Sequence, residues 1–184
     1  MAPVVFVFAQ NRTLSYTTCA ACSSFNVGHA LDHALMEVES SVLGRLQNGP
    51  SPYLSPRCVA MPEDHGVLYE QKRFFQRADF MVRGGEDITF DSIGRRVSNS
   101  WQELLDSIAM RGYSLIIVPL QFPDNRSEGE QPAVVRAIIP GLVPMTFGYR
   151  QEPGGMRRIY TTGKKFGGSI KSYRDLPKFP HPFA

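Results

Sequence analysis

Residues 100–120 read SWQELLDSIAMRGYSLIIVPL, and this stretch decides the fold class. Ser100 with Glu103 three residues on is a capping-box pattern, in which two side chains satisfy the free amides at a helix start. Trp101, Leu104, Leu105 and Ile108 recur at helical spacing and predict a buried face, and Gly112 is placed to stop the helix. YSLIIVPL then reads as a buried strand. Beyond the polar loop PDNRSEGEQP, AVVRAIIPGL (133–142) reads as a second apolar strand. Strands separated by helices predict an α/β fold, a mixed sheet with packed helices.

Working outward, residues 3–9 (PVVFVFA) form a near-continuous apolar run, as expected for a strand covered on both faces. After a polar stretch, Val27, Ala30, Leu31, Ala34, Leu35, Val38, Val42, Leu43 and Leu46 mark one stripe of a long amphipathic helix, with Asn48-Gly49 as its stop. Between about residues 50 and 93 the pattern weakens. Pro50, Pro52, Pro56 and Pro62 interrupt it, HGVLYEQKRFFQRADFMVRGG fits either a helix or paired segments, and the stretch is expected to be an insertion, possible as a mobile one. The chain reads as one domain over residues 1–184.

The composition is that of a globular protein, with 42% hydrophobic and 20% charged residues among 184. No apolar run reaches bilayer-spanning length, which argues against a membrane partner. The apolar opening lacks a basic flank, so it reads as a strand and not as a signal peptide. With three cysteines, a disulfide framework is not expected and the cytoplasm is the default location. From Met145 onward eight Lys or Arg stand against Glu152 and Asp175. Such an excess suits phosphates or an acidic peptide, and a solvated basic surface equally well. A nucleic-acid module is therefore only a weak third reading.

The chain closes on LPKFPHPFA (176–184), with prolines at 177, 180 and 182. Proline at that spacing favours a stiff polyproline-like tail that loses little entropy on docking. Three further motifs carry chemistry. Cys19, Cys22, His29 and His33 are zinc-type ligands, but six residues between the second Cys and the first His is far short of finger spacing. GGMRR and TTGKKFGG are Gly-rich and basic without matching a phosphate-binding Walker loop, and read as hairpin turns. Glu37 and Glu39 point about 200° apart on a helix and cannot chelate one ion together.

Taken in order, SWQELLDSIAMRGYSLIIVPLQFPD, PAVVRAIIPGLVPMTFGYR and the tail resemble the C-terminal half of the YcaO family. PVVFVFA and ALDHALMEVESS resemble that family's middle strand and ATP-site helix. The resemblance implies part of an ATP-dependent peptide cyclodehydratase, which activates backbone amides and forms azoline (thiazoline or oxazoline) heterocycles or thioamides in a ribosomally made peptide. It implies ATP and Mg2+ as cofactors, with Glu37 as a magnesium ligand and Glu37 and Ser40 at the nucleotide. It also implies a tail, with Pro180, Pro182 and Ala184, that enters the active site. The departures are specific. Ser40 stands where the family tends to have Gln, Val42 where it has Arg, and Ala184 where it has a last proline. The expected partners are a polypeptide carrying the N-terminal YcaO half, or a leader-peptide-binding subunit, and the precursor peptide. The alternative is a non-catalytic YcaO-like subunit that binds precursor peptide or scaffolds an active partner.

Overall fold

The computed structural model describes residues 2–83, 85, 87–93, 100–120, 134–165 and 172–183. Strands β1 (Val4–Asn11) and β2 (Tyr16–Ser23) form an antiparallel hairpin, with Phe8 opposite Cys19 and Phe6 opposite Ala21. Asn11 makes the turn: its Oδ1 accepts the N–H groups of Thr13 and Leu14, both at 2.9 Å. Such a side chain imitates a backbone turn. The return strand β2 is more polar than β1 and was not expected from the sequence.

Helix α1 (Val27–Asn48) begins where the Asn26 side chain accepts from the N–H groups of Gly28 and His29. It ends at Gly49, whose φ of 73° few other residues adopt. The helix packs across both strands of the hairpin. Ala30 and Ala34, fully buried, with Val38 one turn on, form its contact stripe, and their small size lets helix and sheet approach closely. Leu35, Met36, Leu43 and Leu46 belong to the predicted stripe or flank it, yet they face outward.

Side chains alternate along a strand, so the hairpin's second face carries Phe6, Phe8 and Cys19. Against it lies the stretch that gave the weakest pattern. Helix α2 (Pro62–Tyr69) is followed by a 3-10 run, Lys72–Met81. Val59, Leu68, Tyr69 and Ala78 form the buried cluster, and Phe8, Phe74 and Phe179 pack on it. The main core is thus built from residues of the region expected to be an insertion.

Beyond α3 (Phe90–Ile93), helix α4 (Trp101–Met110) starts with Ser100 Oγ accepting from the Glu103 N–H and stops at Gly112 (φ 76°). Its expected buried face is only partly covered, with Leu104 and Ile108 half-buried. Trp101 is 62% exposed and Leu105 is exposed, while Ser107 is the buried residue. Strands β3 (Ile116–Leu120) and β4 (Val134–Ile138) pair antiparallel, with Ile116 opposite Ile138 and Val118 opposite Arg136. In place of one mixed sheet, the described residues form two separate antiparallel pairs among several helices. The strands expected to be buried are open on both faces, their apolar side chains exposed between 37% (Val118) and 50% (Val135). Hydrophobic patterning identified the strands but could not say what covers them. Residues 157–165, expected as turns, form helix α5 (Arg157–Lys165). The expected loop 123–132 and Gly167-Gly168 lie outside the described residues.

Candidate functional site

The structure brings the C-terminal tail into a cleft between β2, α2 and the segment around Phe147. Leu176, Pro180 and Pro182 are buried, and Phe179, His181 and Phe183 are half-buried. Proline has no N–H, so this backbone offers mainly carbonyls. The cleft supplies donors to three in succession. Tyr69 Oη donates to the Pro180 carbonyl at 2.9 Å, His65 Nδ1 meets the His181 carbonyl at 2.7 Å, and Cys19 Sγ donates to the Pro182 carbonyl at 3.5 Å. An extended chain is thereby read residue by residue, which a loosely lying tail would not be.

His65 is fully buried, and the tautomer follows from its partners. The Gly148 N–H donates to His65 Nε2 at 2.9 Å, so Nε2 is the acceptor and Nδ1 carries the proton given to His181. Gly148 sits at φ 109°, and a Cβ there would come within 2.9 Å of Gln151 Cγ, so glycine is needed to aim this N–H. His181 continues the chain through Nε2, 2.8 Å from the Thr146 carbonyl. The two imidazoles lie 4.3 Å apart between centroids, with the Phe147 ring edge-on to each. Phe179 packs near Tyr69 and Phe74 under the Arg77 guanidinium at 4.0 Å, and Phe183 meets Phe6. At the tail's entrance Lys178 Nζ donates to the Tyr173 carbonyl and lies 3.6 Å from Glu152.

Burial sets the chemistry of these groups. It pushes the Cys19 thiol up to about 11 and the Tyr69 phenol well above its usual range, so both stay protonated donors at neutral pH. Burial also lowers His65; the His181 carbonyl bond raises it, the neighbouring imidazole lowers it, and Asp64 raises it. Cavities flank the tail. One of about 310 Å³ is lined by Tyr69, Arg77, Phe80 and Phe179, and one of about 240 Å³ by Thr146, Gln151, Glu152 and Lys178.

Of the residues singled out from sequence, Pro180 and Pro182 lie in this cleft and Ala184 lies outside the described residues. Glu37 and Ser40 do not join them. Both are exposed on α1, and the Glu37 backbone carbonyl takes a bond from Ser41 Oγ. Among the described residues no group of three or more His, Cys, Asp or Glu could hold a metal ion. One exposed carboxylate and a hydroxyl do not make a triphosphate–magnesium site. Cys19 faces the tail, while His29 and His33 are exposed. Cys22 is half-buried. Sequence reasoning missed His65 and Tyr69, four residues apart on α2, because their partner lies more than a hundred residues on. No helix among the described residues is long and apolar enough to cross a membrane. No protein-family model matches this chain, and no curated protein or solved structure matches it.

Proposed function

We propose that this chain is a subunit of a YcaO-type assembly that activates backbone amides of a ribosomally made peptide to form azoline heterocycles or thioamides. It supplies the hairpin layer and the docked tail, and a partner polypeptide supplies the nucleotide site. The chemical identity of the reaction rests on the sequence resemblance of VVRAIIPGL and the proline tail. The observation that supports a subunit role is the β3–β4 ribbon, apolar on both faces and exposed on both. Strands of that composition are normally covered on both sides. ATP and Mg2+ are assigned to the partner, with Glu37 offered from α1 as a single ligand.

The burial of Pro180 and Pro182 favours a second reading, that the tail is structural and the chain a non-catalytic scaffold or precursor-binding subunit. Tail and scaffold roles separate in one experiment. With the partner, ATP and precursor peptide present, deletion of residues 179–184 removes the tail from the cleft. Loss of peptide dehydration, read as loss of water by mass spectrometry with the complex intact, supports the catalytic subunit. Normal dehydration supports the scaffold. MgATP binding by this chain alone would overturn the assignment of the nucleotide site to a partner.

A further inference from the structure

The tail is held by a relay that works in one protonation state. The Gly148 N–H points at His65 Nε2, His65 Nδ1–H points at the His181 carbonyl, and His181 Nε2 faces the Thr146 carbonyl. A second proton on His65 can go only to Nε2, where it would meet the Gly148 N–H head-on, donor against donor. The site gives that proton nowhere else to turn, since the ring is fully buried and wedged between His181 and Phe147. We propose that the docked tail is a proton-operated clasp: uptake of one solvent proton by His65 at Nε2 breaks the Gly148–His65–His181 relay and frees residues 177–183 from the cleft.

The groups facing His65 set the balance. On its own helix Asp64 favours the charged ring, but that carboxylate is only half-buried and is held by the N–H groups of Ala60 and Met61 at 2.9 and 3.0 Å. From the tail the His181 imidazole opposes it. The segment at Phe147 presents a ring edge with no charge. In the docked state burial, first of all, holds His65 below the ordinary imidazole value of 6.5, and release of the tail relieves part of that burial. Docking is therefore at full strength above about pH 6.5 and weakens as pH falls toward the docked-state value, by at most about tenfold per pH unit for one proton.

The test uses the full chain with 4-fluorophenylalanine at Phe183 alone, followed by 19F NMR from pH 8 to pH 5. Ring 15N NMR of His65 runs in parallel. The expected result is a docked signal at pH 8 with the His65 proton on Nδ1. The docked-to-free ratio then falls with pH, by at most about tenfold per pH unit, while far-UV circular dichroism holds. His65→Asn keeps an amide donor for the His181 carbonyl and cannot titrate. Its ratio, whatever its value, is expected to be independent of pH. Any of four results overturns the clasp: a docked signal unchanged down to pH 5, a proton on Nε2 at pH 8, the same pH dependence in His65→Asn, or circular dichroism lost in step with release.

Discussion

Both strand pairs of this chain are built on apolar runs, valine and phenylalanine in β1 and isoleucine and valine in β3 and β4, yet the two pairs live in different surroundings. The β1–β2 hairpin has α1 on one face and α2 with the tail on the other, and its Cys19 and Ala20 are buried. The β3–β4 ribbon is the more apolar of the two, yet its Ile116, Val118, Val135 and Ile138 are each exposed. What separates them is the supply of partners. The hairpin's second face is sealed by segments from far along the sequence, whereas nothing among the described residues closes over the ribbon. Apolar composition states a demand for burial; the location of the cover is a separate fact.

The sharpest way to break this contrast is to cut into the sealed side. Leu68→Ala removes a fully buried side chain from the central cluster and should cost about 2–5 kcal/mol in urea unfolding. A loss well under 1 kcal/mol would mean that the cluster is not the core. Next comes the thiol. Cys19, with its value pushed up to about 11, should alkylate at pH 8 about two orders of magnitude more slowly than the exposed Cys58. Equal rates, read by peptide mass mapping, would show that the tail does not seal the hairpin. Tyr69→Phe takes away the donor to the Pro180 carbonyl and should cost about 1–3 kcal/mol, because that carbonyl is left buried and unsatisfied. Smallest is a change on the open side. Val135→Glu should move the chain's own stability by no more than about 0.5 kcal/mol, since the position is already 50% exposed. The same change should suppress the self-association that an open apolar ribbon promotes, by light scattering. A large stability loss in Val135→Glu would place the ribbon in the core and erase the distinction.

Local signals were legible and distant ones were not. Gly49 and Gly112 stop their helices where the sequence placed the stops, and the Ser100 side chain caps α4 by accepting from the Glu103 N–H. Both ribbon strands were found from their apolar runs. The return strand β2 escaped because Thr17, Thr18 and Ser23 dilute its pattern, and α2 escaped among prolines although Pro62 occupies a favourable first-turn position. The tail stands out in the sequence through its spaced prolines. Its cleft was invisible, because His65, Tyr69 and Cys19 look like unrelated residues until the fold aligns them with consecutive carbonyls. Glu37 and Ser40 were chosen by resemblance alone, and they lie on the exposed side of α1, apart from the tail contacts.

The sequence distance spanned by the tail contacts has a consequence in time. Cys19 and Pro182 are 163 positions apart, and Tyr69 and Pro180 are 111 apart. Closing loops of that length costs on the order of 4–5 kcal/mol of chain entropy before any contact repays it. The hairpin, α1 and α2 can meet through much shorter loops, so they assemble first and hold a vacant slot. Docking of the last residues is then the late step of folding, and in contact-order terms the slow one. During synthesis the slot forms while residues 177–183 have yet to be made, which leaves Phe6, Tyr69 and Phe74 without their final cover. The interval before the tail arrives is therefore the chain's period of greatest exposure to misassociation.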